Sequence, residues 1–302
     1  MNERIRGAWC ATLTPLNERG RVDYPRFVTH VKRLFAAGID GIAPFGTTGE
    51  GQSFSLVERR DALEALLEGG LEAHRIVPGT GCAAVQETIE LTRHAIECGC
   101  AGALVLPPFF FKDIDAEGLY ASYARVIDGV ANDRLRLYLY HIPQVTQVPI
   151  SDELIARLVA AYPNTIAGIK DSSCDLEHEQ TLLRRFPELN IFVGFEPHLP
   201  AALAAGGAGT ICGLANLYPG VLRRLHDAAS DAERAPALEH IERLLKLLEP
   251  YPLMPALKAA FAEINGDPGW LTVREPLVAL GEDARSTLRS SLTRSGLARS
   301  AP

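Results

Sequence analysis

Asn164-Thr165-Ile166-Ala167-Gly168-Ile169-Lys170-Asp171-Ser172-Ser173 is the stretch on which the reading of this chain turns. Ile166 to Ile169 is a short apolar run with β-branched residues, the pattern of a buried strand. It ends on a lysine and then on small polar residues. Burial penalises an ammonium ion and favours the neutral amine. A neutral amine adds to carbonyls and forms Schiff bases. Lysine is scarce: of the 30 lysines and arginines only five are lysine, namely Lys32, Lys112, Lys170, Lys246 and Lys258. Lys32, Lys246 and Lys258 fall in segments of helical periodicity, where a solvated charge is expected, and Lys112 follows a Pro-Phe loop. Lys170 is the candidate nucleophile.

Strand and helix patterns alternate on both sides of this run. Strand-like runs at 9–14, 41–45, 75–79, 103–106, 135–141, 166–170 and 191–194 precede an eighth that ends at Thr210 and Ile211. Helical periodicity occupies 24–37, 55–67, 88–98, 117–130, 151–161, 176–186, 199–205 and 219–229. Gly38 stops the first helix as a C-terminal cap. Ser55 and Glu58 stand at the N-cap and capping-box positions of the second. Eight strand–helix units with short connections predict an α/β fold, the (β/α)8 TIM barrel. A doubly wound sheet is the alternative, but no G-x-G-x-x-G turn opens the chain. Gly206-Gly207-Ala208-Gly209 precedes a strand rather than a helix, so it reads as a helix end and turn, not a phosphate loop. Amphipathic segments at 232–248, 254–264 and 274–297 predict a helical appendix. The expected organisation is a barrel over 1–230 with C-terminal helices over 231–302 packed on it.

Bulk properties narrow the function classes. The 302 residues are 47% hydrophobic and 22% charged, ordinary globular values. A net charge of −7 argues against a nucleic-acid or anionic-membrane surface. The start of the chain is polar, and no apolar run reaches the roughly 18 residues a membrane span needs. A soluble cytoplasmic protein is expected. The six cysteines are scattered, without zinc or redox spacing, and no histidine cluster appears, so no metal is expected.

In a barrel the C-terminal ends of the strands converge on one face. Three such ends carry chemistry. After the second comes Gly46-Thr47-Thr48-Gly49-Glu50. Its glycines let the backbone turn sharply, and two hydroxyls with exposed amides suit a carboxylate. After the fifth comes Tyr140-His141-Ile142-Pro143, a phenol at the barrel mouth, and the sixth ends on Lys170.

These motifs, in this order and spacing, resemble the dihydrodipicolinate synthase / N-acetylneuraminate lyase family of pyruvate-dependent class I aldolases. The resemblance runs from Thr14-Pro15 through Gly213-Leu214-Ala215-Asn216 to the last helices. It implies a barrel with C-terminal helices, usually a homotetramer built from tight dimers, or a homodimer. It implies pyruvate and a 2-oxo acid as small-molecule partners, and no metal or bound cofactor. Lys170 would form the Schiff base. Thr47 and Thr48, in the loop opened by Gly46, would hold the substrate carboxylate, with Thr48 also passing protons. Tyr140 would be the general acid/base.

The chain departs from the family's pattern at informative places. Phe110 stands where the synthases carry a second tyrosine, given across the dimer to the proton relay. Val145 stands where they carry an arginine for the aldehyde partner's carboxylate, and losing such a clamp is not conservative. Lysine biosynthesis from aspartate semialdehyde is therefore disfavoured. Of the sialic-acid lyase pattern, Gly194-Phe195-Glu196-Pro197 keeps one acid, and Gly213 replaces an expected serine. Gly194, Glu196 and Phe110 join the substrate-binding candidates, Glu196 as a reader of hydroxyls or else a solvated loop carboxylate. Phe109, Phe110 and Phe111 line an apolar mouth or a dimer contact. The reading is a class I lyase that cleaves a 2-keto-3-deoxy sugar acid or a 4-hydroxy-2-oxo acid. The alternatives are a 2-keto-3-deoxy acid dehydratase, a dihydrodipicolinate synthase, and, opposed by the retained lysine and threonines, a silent binding barrel.

Overall fold

The first and last strands of the chain lie side by side, and this pairing closes the fold. The computed structural model describes residues 5–298. In chain order its first elements are β1 (Gly7–Cys10), α1 (Tyr24–Ala36), β2 (Gly41–Ile42), α2 (Leu56–Glu68), α3 (Val85–Glu97), β3 (Ala103–Val105) and α4 (Ala116–Val130). Then come β4 (Leu137–His141), the short α5 (Pro143–Thr146), α6 (Asp152–Ala161), β5 (Ile166–Asp171), α7 (Leu176–Arg185) and β6 (Asn190–Val193). The chain continues through α8 (Leu199–Ala204), β7 (Gly209–Cys212), α9 (Pro219–Asp227), α10 (Asp231–Leu248), α11 (Leu253–Asn265) and α12 (Glu282–Arg294).

The strands form one 7-stranded sheet in the order β2-β1-β7-β6-β5-β4-β3. Every pair is parallel. The expected strand at 75–79 is present only as two isolated bridges, Ile42 with Ile76 and Gly79 with Leu104. Pro78 explains the interruption, because it has no N–H to give a ladder. The segment still fills the gap between β2 and β3: Val77 N–H donates to Ile42 O at 2.9 Å, and Leu104 N–H to Pro78 O at 2.9 Å. The barrel is thus closed by eight segments, of which this one is irregular.

Alternation sorts the side chains into two layers. Trp9, Val77, Leu104, Tyr138, Tyr140, Ala167, Phe192 and Ile211 meet in one apolar cluster that fills the barrel interior. Ile166 and Ile169 belong instead to the cluster beneath the helices. Inward Ala167 and outward Ile169 break the two-residue period. The register with β4 shifts at this point, where Leu137 pairs with Ile166 but Tyr138 with Gly168. The extra residue is a bulge, and it aims Lys170 inward.

Local signals hold well at α2, where Ser55 accepts from Glu58 N and Glu58 closes the capping box. They fail at α12. The expected helix from 274 starts only at Glu282. Pro276 bars a helix interior there, and Arg274 N–H is drawn away to Glu50 Oε2 at 2.6 Å. The C-terminal helices share a core with the first barrel helices, with Ile241, Leu244, Phe261, Leu288 and Leu292 in the same cluster as Phe27 and Leu34. Among the described residues, no helix is long and apolar enough to cross a membrane.

Candidate active site

Lys170 lies near the end of β5 with 3% of its surface exposed. Its Nζ stands over the ring of Tyr140, 4.3 Å from the centroid. The two residues are register partners on β5 and β4. Tyr140 Oη and Thr47 Oγ1 are 3.2 Å apart, within hydrogen-bonding reach. The hydroxyl within reach of the phenol is thus that of Thr47, while Thr48, of which proton passing was expected, lines the same cavity. Thr47, Thr48, Tyr140, Lys170, Gly194 and Glu196 all line one cavity of about 170 Å³. Strand ends far apart in sequence bring them together, as the barrel requires.

The threonine loop is bent by a different device from the one its glycines suggest. The left-handed residues are Phe45, at φ 58°, and Glu50, at φ 58°. Such values are uncommon for non-glycine residues and persist where the surroundings fix them. Phe45 is held by edge-to-face contacts with Phe27 and Phe54. Glu50 is held by an ion pair with Lys258 on α11, both side chains being 0% exposed. Lys258 Nζ also donates to Thr272 O at 2.8 Å. The expectation of a solvated Lys258 is wrong: helical periodicity alone does not distinguish a charge facing solvent from one facing a buried partner. Burial holds its ammonium below the ordinary lysine range, and Glu50 opposes that shift. Gly49 serves close approach, since a Cβ there would meet Thr12 O at 2.8 Å. Gly46 is buried in the loop, and its carbonyl accepts from Gly51 N–H at 3.1 Å.

Gly194 brings the β6 end against the loop after β5, its N–H donating to Asp171 O at 2.6 Å. A Cβ at Gly194 would run into Ser172 Oγ. Glu196 is 4% exposed, which excludes a solvated loop carboxylate. Its Oε1 accepts from Leu214 N–H at 3.1 Å, and burial pushes its carboxyl up from the ordinary range. Gly213 stands beside Thr48, where a Cβ would press to 3.3 Å of Oγ1 and 3.4 Å of Leu257. Phe110 lies apart from the cavity: it is 72% exposed and packs edge-on against Phe111 at 5.2 Å. The position it matches is one given across a dimer, so an outward-facing loop tip on its own chain does not contradict that placement. Val145 is 55% exposed and, with Phe109 and Thr47, lines a neighbouring pocket.

Behind Lys170 the sequence's scattered histidines do meet. His141, Asp171 and His178 bring potential ligand atoms within 4.8 Å of one another. Protein groups already engage them: His178 Nδ1 bonds Asp171 Oδ2, and Ile150 N–H donates to His141 Nδ1 at 3.2 Å. Burial pushes the Asp171 carboxyl up, but bonds from His178 and Ser173 outweigh it and hold it below its ordinary value. The bond to Asp171 raises His178 above the usual imidazole value. The clasp fixes both ends of the loop that carries Ser172 and Cys174 into the cavity wall. Leu245, Leu253 and Leu257 complete that wall from α10 and α11. Their spacing in sequence is that of any core-facing helix stripe, so nothing there announced them.

The model of the dihydrodipicolinate synthetase family matches residues 4–295. An uncharacterized DapA-like lyase of Chloroflexus aurantiacus is 38% identical over 96% of each chain. The crystal structure of dihydrodipicolinate synthase from Agrobacterium tumefaciens superposes with a TM-score of 0.88 at 32% identity, covering 95% of this chain and 98% of that one. YagE, a prophage protein of E. coli described as belonging to the dihydrodipicolinic acid synthase family, was solved in complex with pyruvate. It gives 0.87 at 25% identity, covering 97% and 99%.

Proposed function

The chain belongs to the dihydrodipicolinate synthetase family, and from that premise we propose that it is a Schiff-base lyase releasing pyruvate from a 4-hydroxy-2-oxo acid. One observation carries the reading: a buried lysine amine over a phenol that is itself in reach of a threonine hydroxyl, all in one small cavity. The pyruvate seen in YagE supports the substrate class.

In the proposed reaction the neutral Lys170 Nζ attacks the keto carbon, and water leaves as the protonated iminium forms. Thr47 and Thr48 receive the carboxylate. Tyr140, having given its phenolic proton to the departing water, takes the proton of the hydroxyl on carbon 4. The bond between carbons 3 and 4 then breaks, its electron pair passing to the iminium to give an enamine, and the aldehyde departs. Carbon 3 takes that proton from Tyr140, and water hydrolyses the iminium to free pyruvate and the lysine amine, returning a proton to Tyr140. Loss of the arginine clamp at Val145, now largely exposed, speaks against aspartate semialdehyde as partner.

Steady-state assay of a 4-hydroxy-2-oxo acid tests the proposal. Pyruvate and aldehyde are expected in equal amounts, and Lys170→Ala should lose at least about a thousandfold in kcat. Loss of water from the substrate without pyruvate release would replace the lyase with a dehydratase.

A further inference from the structure

The cavity above Lys170 is small and does not close on itself. Its volume of about 170 Å³ lies below the range of about 300–1,000 Å³ usual for small-molecule sites. It takes a three-carbon acid and little more. Phe195, Leu245 and Leu253 line this cavity and also a neighbouring groove of about 700 Å³ between the β6 loop, α10 and the start of α11. The pocket at Val145 shares only Thr47 with the cavity, so the groove, with three shared residues, is the wider way out for whatever is attached to carbon 4 of a bound 2-oxo acid.

The route is apolar. Leu214 and Leu257 wall the cavity, and Tyr251 and Leu248 join the shared three residues in the groove. Its charges are the wrong sign for an acidic tail. Among the described residues lining the cavity, Lys170 is the only cation, and it is committed to the iminium. Glu196 sits in the cavity, and in the groove Glu242 and Glu249 outnumber Lys246. A terminal carboxylate would lose water and gain no counter-ion.

A polyhydroxylated tail is matched no better. The Glu196 carboxylate is turned to the end of β7 and the loop after it, accepting from Leu214 N–H and Cys212, and also from its own N–H. With those bonds made it can serve at most the hydroxyl on carbon 4. Gln144 in the cavity wall already donates to Ser172 O, and further hydroxyls along the shared face of Phe195, Leu245 and Leu253 would leave their bonds to water unreplaced.

Resting on the Schiff-base reading above, we infer that the aldehyde half of the substrate is uncharged and apolar, an alkyl or aryl aldehyde whose tail lies in the groove of Phe195, Leu245 and Leu253. Those three residues set specificity by excluding water from the tail.

The test is a panel of 4-hydroxy-2-oxo acids with alkyl, aryl, carboxylate-bearing and polyhydroxylated tails, assayed for pyruvate release, with borohydride trapping of pyruvate run alongside. The alkyl or aryl substrates should exceed both others by at least about tenfold in kcat/KM, about 1.4 kcal/mol. Leu253 is 49% exposed, so Leu253→Arg leaves the core intact. It should move the ratio of apolar to carboxylate-bearing substrates at least about tenfold toward the carboxylate. A trapped adduct together with preference for a carboxylate or polyol tail overturns this inference and leaves the Schiff base standing. An unmoved ratio in Leu253→Arg shows that the tail does not lie in the groove and overturns the inference. No adduct at all overturns both readings.

Discussion

Replacing Lys258 by methionine tests how the helices beyond the barrel hold the threonine loop. Lys258 and Glu50 are both fully buried. Glu50 Oε2 keeps the Arg274 N–H when Lys258 is removed, but Oε1 loses its counter-ion. Breaking one side of such a pair costs about 3–5 kcal/mol, because a charge is left buried without compensation. Against a total of roughly 5–15 kcal/mol, and at about 2 °C per kcal/mol for a chain of this size, Tm should fall by about 6–10 °C. Glu50 occupies a left-handed backbone position three residues after Thr47, so release of the loop should also raise KM for the 2-oxo acid severalfold. The double variant Lys258→Met with Glu50→Met removes both charges and should recover most of the lost stability, since the pair's net worth is small. Calorimetry or chemical unfolding of wild type, both singles and the double gives the cycle. If Lys258→Met costs less than about 1 kcal/mol, or the double is as unstable as the sum of the singles, the pair does not act as described.

Tyr140→Phe removes the phenol that faces Lys170 and Thr47; kcat should drop by about 10²–10⁴, while the borohydride adduct with pyruvate still forms at Lys170. Buried Glu179 on α7 pairs with His198 at 2.9 Å, and burial first, then Asp171 and Asp175, push its carboxyl from 4.5 up to about 8. The folded protein therefore holds that proton more tightly than the unfolded chain, so its stability falls as pH rises from about 4.5 to about 8, at up to about 1.4 kcal/mol per pH unit. Glu179→Gln should flatten the unfolding midpoint over that range; parallel curves for variant and wild type would refute the linkage. Phe110 and Phe111 are exposed at 72% and 73% as an adjacent aromatic pair, a surface suited to a subunit contact. Sedimentation should show an oligomer that Phe110→Asp with Phe111→Asp dissociates, and an unchanged sedimentation coefficient would free this pair from any such role.

What the sequence announced and what it hid follow from how far each feature reaches along the chain. Lys170 stands out because a charge that ends an apolar strand conflicts with its surroundings, and that conflict is local. Ser55 with Glu58 is local too. The alternation of strands and helices survived the loss of regular structure at 75–79, because Val77 still turns inward although Pro78 interrupts the ladder. Lys258 was invisible as a buried residue, since its partner Glu50 lies on a different element. The same distance hid Leu245 and Leu253, whose helical spacing fits core and cavity wall alike. The choice between Thr47 and Thr48 depends on which of two adjacent hydroxyls faces Tyr140, and only the turn set by Phe45 and Glu50 decides it.

The proposed lyase stands or falls with Lys170 carrying the substrate covalently. Mass spectrometry after borohydride reduction with pyruvate tests it most directly, with Lys170→Ala as control. One pyruvate-derived mass gain is expected on the peptide containing Lys170, absent in the variant. A gain on another lysine, or none with pyruvate or any 2-oxo acid, would contradict it.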